Sequence, residues 1–164
     1  MIIIDTNILS TFSRIDQIFI LFKLFPKEKL AITSAVYDEM IEAIISGFSF
    51  MEKAKSLIDT GSIQLITLNV DEVLAKQDLP TSFGSGELEC VTICKHRSYI
   101  LLTNDKRVRN YCKSENITVY DLPMLLRAIW ENEILSKEKV RQLVIEIETK
   151  ENMVIKNKDL IFKE

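Results

Sequence analysis

The sequence predicts an α/β fold: a central, mainly parallel sheet of about five strands with helices on both faces. Three observations carry this. Short apolar runs rich in β-branched residues alternate with longer segments of helical periodicity, the pattern of repeated strand–helix units. The first run, Met1-Ile2-Ile3-Ile4, is apolar throughout, as suits a strand covered on both faces. Gly and Pro number only 4 and 3 in 164 residues, so long loops should be few.

In chain order, the first strand ends at Asp5-Thr6-Asn7, polar residues that favour a strand-to-helix turn. An apolar helical region follows over 8–25, broken near Ser13 and stopped by Pro26. Residues 30–33 (LAIT) read as the second strand. Ser34 is the expected N-cap of a helix over 35–46, with Gly47 as its stop. A helix over 50–60 is closed by Gly61. Residues 63–68 form the third strand, and 71–77 a short helix ended by Pro80. The Gly-rich loop over 81–86 leads into a helix over 87–97. Residues 99–103 form the fourth strand, 105–114 a helix with a basic outer face, and 117–120 the fifth strand. Helices over 122–132 and 136–150 complete a single domain spanning 1–150. Residues 151–164 read as a C-terminal tail, ambiguous between strand and loop from Met153. Each strand–helix–strand crossover is expected to be right-handed.

Composition narrows the function. A hydrophobic fraction of 47% with 27% charged residues fits a globular chain, not a disordered one. The formal net charge of -3 argues against a dedicated nucleic-acid-binding module, which carries a basic excess. It leaves room for a nuclease that keeps several carboxylates at its site. An odd count of 3 cysteines, with no signal-like opening because Asp5 interrupts the apolar run, implies a reducing cytoplasmic setting. No apolar stretch reaches the roughly 18 residues that span a bilayer, so no membrane partner is expected.

The acids fall where a site should be. Ligands of a parallel sheet bind beyond the carboxyl ends of the strands. Asp5 ends the first strand and Asp105 follows the fourth. If those strands are neighbours, their ends lie roughly 5 Å apart. Two such carboxylates repel unless a cation lies between them, and hard cations such as Mg²⁺ or Mn²⁺ prefer oxygen ligands. Glu87 and Glu89 open a helix that is nearly apolar all round. Acids in a first turn also favour the helix dipole, which is the plainer account of both. Glu39 lies at the edge of an apolar helical stripe, where it either reaches inward or solvates the helix edge.

Four segments in order, "IIIDTNIL", "SAVYDEM", "GSGELEC" and "ILLTND", resemble the PIN-domain family over essentially the whole of 1–150. The resemblance implies a three-layer α/β/α sandwich and a metal-dependent ribonuclease site. Asp5, Glu39 and Asp105 match the family's acidic positions. The remaining acid is Glu89, the counterpart of a single aspartate in toxin-type members, or Glu87 and Glu89 together, as in the paired-glutamate motif of flap nucleases. The implied catalytic set is therefore Asp5, Glu39, Glu87, Glu89 and Asp105, with Asp5, Glu39, Glu89 and Asp105 as metal ligands for Mg²⁺ or Mn²⁺. Asn7 and Thr103 fit support roles, as a carboxylate partner and a hydroxyl near the metal; a turn former and a strand-end hydroxyl are the plainer accounts. Lys106, Arg107 and Arg109 are placed to hold phosphates or simply form a solvated helix face. Asp121 reads as a helix cap, and His96 as a surface residue.

The resemblance further implies an RNA substrate, an antitoxin protein as a partner, and a homodimer. Phe19, Ile20, Phe22 and Phe25 are open to three readings: core, dimer face or antitoxin groove. An inactive PIN-like scaffold that binds RNA or protein is the alternative function. A zinc site from Cys90, Cys94, Cys112 and His96 lacks the usual turn spacing. A phospho-acceptor receiver wants acids that the first and third strand ends do not supply. A dinucleotide-binding domain wants a Gly-rich loop after the first strand, which is missing.

Overall fold

Ile2, Ile3 and Ile4 are fully buried, because the strand they form is covered on both edges and both faces. A computed structural model describes residues 1–156 and 158–163; Asn157 and Glu164, both in the expected tail, lie outside the described residues. Its strands are β1 (Ile2–Ile4), β2 (Leu30–Thr33), β3 (Gln64–Ile66), β4 (Ile100–Leu102) and β5 (Val119–Tyr120). All pairings are parallel, in the order β3-β2-β1-β4-β5. The helices are α1 (Thr6–Arg14), α2 (Phe19–Leu24), α3 (Ser34–Ile45), α4 (Glu52–Asp59), α5 (Val70–Ala75), α6 (Ser85–Arg97), α7 (Lys106–Ser114), α8 (Leu122–Glu131), α9 (Lys137–Glu151) and α10 (Lys158–Phe162). This is the expected α/β/α sandwich with a central parallel sheet. Among the described residues no helix is long and apolar enough to cross a membrane.

The strand order locates the chemistry. From β1 the chain builds outward through β2 to β3, whereas from β4 it builds the opposite way to β5. The crevice at that reversal is where ligands bind in open parallel sheets. β1 and β4 are paired neighbours, with Ile4 opposite Leu102. The residues that follow them, Asp5 and Thr103 to Asp105, therefore meet at the switch point.

Several boundaries differ from the sequence expectation. The predicted third and fifth strands shrink to three and two residues because both are sheet edges, each paired on one side only. The cap of α3 is Thr33, whose hydroxyl accepts from the Val36 N–H, not Ser34. The helix expected over 50–60 opens with a tight turn at Ser49–Met51 before α4. The helix expected from Glu87 starts two residues earlier, at Ser85, because Glu87 Oε2 accepts from the Gly84 N–H and tethers the first turn. The tail from Met153, expected as strand or loop, contains the helix α10 instead. Trp130 Nε1 donates to the Ile161 carbonyl at 2.8 Å, Arg127 Nη1 donates to the Leu160 carbonyl at 2.9 Å, and Lys158 pairs with Glu148. Ile161 is buried beneath them.

The early aromatic-rich region splits its roles. Ile20 is core, Phe22 and Phe25 pack partly against it, and Phe19 is 51% exposed. All three cysteines are free and buried. Burial pushes the Cys112 thiol up to about 11 and those of Cys90 and Cys94 well above the ordinary thiol range, so they behave as apolar core groups.

Candidate active site

Asp5 ends β1 and caps α1, and at 3% exposure it is the most buried acid of the cluster. Its Oδ1 accepts from the Thr6 N–H at 2.8 Å. Its Oδ2 accepts from Asn7 Nδ2 and from the Thr103 hydroxyl, each at 2.7 Å. A carboxylate offers about four acceptor positions, so one remains free. All three donors are neutral. Burial, and then repulsion from Glu87 and Glu39, outweigh these hydrogen bonds and raise the Asp5 carboxyl to about 6.

Asn7 and Thr103 lock this arrangement to the far strand. The Asn7 carbonyl accepts from the Asn104 N–H at 2.9 Å, while its amide also reaches Thr103 Oγ1 at 3.2 Å. Thr103 is fully buried, and its hydroxyl also accepts from the Asp105 N–H at 3.2 Å. Both side chains are struts between the end of β1 and the end of β4. Asp105 caps α7: its Oδ1 accepts from the N–H groups of Arg107 and Val108, at 2.7 and 3.1 Å. Its Oδ2 faces Arg107 Nη2 at 3.3 Å. Partial burial acts upward on this carboxyl, but hydrogen bonds from Val108 and Arg107 prevail and hold it below the usual range.

Glu39 reaches inward from α3. Its Oε2 accepts from the Thr6 hydroxyl, and its Oε1 accepts from the Gly86 N–H at 3.0 Å. Two residues that hold Glu39 are not singled out by the sequence. Thr6 holds Glu39 from the start of α1. Gly86 makes room for the carboxylate: a Cβ there would lie 2.8 Å from Glu39 Oε1 and push that side-chain end aside. The "GSGE" spacing was the available signal, since a glycine inside a first helical turn marks a close approach.

Glu87 and Glu89 part company. Glu87 bears on Asp5 electrostatically and lies 3.7 Å from Arg107 Nη2. Glu89 points to the other side of α6, where its Oε2 accepts from the Ala35 N–H at 2.9 Å, in the first turn of α3. Its Oε1 lies 3.9 Å from Lys76 Nζ. A helix N-terminus and a lysine thus already neutralise Glu89.

Of the basic trio, Arg107 turns into the cluster, toward Asp105 and Glu87, and donates to the Ser82 carbonyl at 3.0 Å. Arg109 pairs with Asp121, which also caps α8. Lys106 is exposed beside Asp105. His96 is exposed as well. Among the described residues no group of three or more His, Cys, Asp or Glu side chains forms a ready-made metal cage. Glu39 and Glu87 bear electrostatically on Asp5, Asp105 stands behind the Thr103 strut, and all four acids present oxygen ligands. That chemistry fits a hard divalent ion.

A family model described as a PIN domain matches residues 1–160. The chain belongs to the PIN-domain family. Among curated proteins and solved structures no match is found. PIN membership brings a nuclease-type fold.

Proposed function

We propose that this PIN domain is a metal-dependent endoribonuclease acting at the β1/β4 crevice. One observation carries the reading. Asp5 is buried at the switch point with only neutral donors, while carboxylates from α3 and α6 press on it. A buried carboxylate in that position is relieved by a cation. Asp5, Glu39, Glu87 and Asp105 would hold Mg²⁺ or Mn²⁺, with Glu89 held in reserve behind Ala35 and Lys76. When bound, such an ion polarises the phosphodiester and activates water at neutral pH.

The chain's own residues supply position. Asn7 and Thr103 hold Oδ2 of Asp5, which leaves the open acceptor position on Oδ1. Thr6 and Gly86 hold both oxygens of Glu39, so that carboxylate is aimed before any ligand arrives. Arg107, shared between Asp105 and Glu87, is placed to meet a phosphate once those carboxylates find another cation. The wider reading is a cytoplasmic toxin restrained by a small antitoxin and acting as a homodimer. Three free buried thiols and the exposed ring of Phe19 support it. A second reading, an inactive scaffold binding RNA or protein, draws on Asp105, whose two oxygens are engaged by the α7 cap and by Arg107.

The test is cleavage of a panel of structured and single-stranded RNAs with Mn²⁺ or Mg²⁺, comparing wild type with Asp5→Asn and Asp105→Asn. Metal-dependent cleavage lost in both variants supports the nuclease. Cleavage that survives in both removes the site assignment. Absence of cleavage, together with absence of Mn²⁺ binding by titration, favours the scaffold.

A further inference from the structure

We infer that the cleft between α7, α8 and the C-terminal segment is a track for the sugar-phosphate backbone of single-stranded RNA, leading to the acidic crevice. The inference rests on the ribonuclease reading above and adds where the rest of the substrate lies.

The cleft has a volume of about 690 Å³, the scale of a nucleotide-sized ligand. Its charge runs against the rest of the molecule. The chain carries a formal charge of -3, yet the lining holds four cations, Lys106, Arg109, Arg127 and Lys156, against one acid, Asp121. Asp121 is consumed by Arg109, and Arg127 is engaged by Glu131 and the Leu160 carbonyl. Lys106 and Lys156 are exposed and have no ion-pair partner among the described residues. They are the two charges available to an incoming anion.

Position ties the cleft to the crevice. Asn104 and Lys106 line it, and Asp105 stands between them in the chain. A strand whose scissile phosphate sits at Asp5 and Asp105 thus passes directly onto Lys106. The opposite wall is the segment carrying Lys156, fixed by Glu148, which accepts from the Ile155 N–H at 2.8 Å and pairs with Lys158. The lining residues include no aromatic ring, so bases have nothing to stack on. What remains is cationic ends over aliphatic side chains such as Met124 and Val154. Such a surface grips phosphates without reading sequence.

The experiment is fluorescence anisotropy of a labelled single-stranded RNA oligonucleotide in chelator, where no cleavage occurs, over a salt series. Wild type is compared with Lys106→Gln, Lys156→Gln, the double variant, and Lys55→Gln on the distant helix α4 as a control. Each single variant should bind several-fold more weakly, and the double more than about tenfold, with the salt slope falling by about 0.7 per lysine. The control should match wild type, and thermal unfolding should show every variant folded. Equal affinity of wild type and double variant overturns the track while leaving cleavage by wild type, and hence the nuclease, intact. Lysine-dependent binding of polyglutamate without binding of RNA overturns it in favour of an acidic peptide. No RNA binding by wild type overturns it outright.

Discussion

Replacing Asp5 by Asn should stabilise the metal-free protein at pH 8 and not at pH 4. The Asp5 carboxyl rises from an ordinary 3.8 to about 6, chiefly through burial and secondarily through Glu87 and Glu39. At about 1.4 kcal/mol per tenfold change in the proton equilibrium, keeping it charged in the fold costs about 3 kcal/mol. The sign follows from linkage. A carboxyl raised on folding favours the folded state below 3.8, and that benefit is lost as pH rises through about 6. Asparagine removes the charge but puts an amide donor where Oδ2 accepts from Asn7 and Thr103, each at 2.7 Å. The Thr103 hydroxyl already accepts from two donors and cannot fully compensate, so about 1 kcal/mol is lost. The balance at pH 8 is a gain of about 2 kcal/mol, or about 4–8 °C in Tm for a domain of this size. At pH 4 only about 0.5 kcal/mol of the gain is left and the lost hydrogen bond outweighs it. Urea denaturation of both proteins in chelator across pH 4–8 reads the difference directly. Parallel stability curves, with no crossing, would refute the claim that Asp5 is a destabilising buried charge in need of a cation.

Other variants probe neighbouring parts of the same argument. Gly86→Ala puts a Cβ 2.8 Å from Glu39 Oε1, the mobile end of a side chain. The fold should survive by circular dichroism, while metal-dependent cleavage falls about 100-fold from the misplaced carboxylate. Arg107→Gln removes the guanidinium facing Asp105 and Glu87 at 3.3 and 3.7 Å, so calorimetric titration should show Mn²⁺ binding about two- to fivefold tighter. Weaker binding would show that Arg107 helps assemble the site instead of competing for it. Arg97→Ala removes the guanidinium 2.7 Å from Glu72, which keeps only its Asn69 N–H bond, and should cost about 1–3 kcal/mol near neutral pH, with Mn²⁺ affinity unchanged. Because Arg97 holds the Glu72 carboxyl below its ordinary 4.5, the pair's contribution in wild type should fade as pH drops through that lowered value.

The parallel sheet was legible because strand burial writes itself into composition. A run such as Ile2-Ile3-Ile4 has few alternatives to a doubly covered strand. Asp5 and Asp105 were legible as a pair only on condition that the first and fourth strands touch, a fact of topology that no local pattern encodes. What the sequence hid was mostly backbone. Gly86 acts through the side chain it lacks and the N–H it offers Glu39. Thr6 reads as part of a turn until its hydroxyl is seen on Glu39. That Glu87 and Glu89 face different ways is legible, since two positions along a helix turn side chains by about 200°; which of them bears on Asp5 is not, and it is Glu87, while Glu89 meets the Ala35 N–H. The C-terminal helix stayed ambiguous because it is five residues long and owes its conformation to Trp130, Arg127 and Glu148, not to local propensity.

The hydrogen bond from Thr103 to Asp5 joins residues 98 positions apart. A chain made from its amino end therefore holds Asp5 and Glu39 early, yet cannot complete the crevice until β4 docks beside β1. During all of that synthesis β1 lacks one of its two flanking strands, and the acids it carries lack Thr103 and Asp105. Assembly of the crevice therefore waits for β4. Were the proposed activity present, the messenger being translated would be shielded from its own product until β4 and Asp105 had been made and docked beside β1.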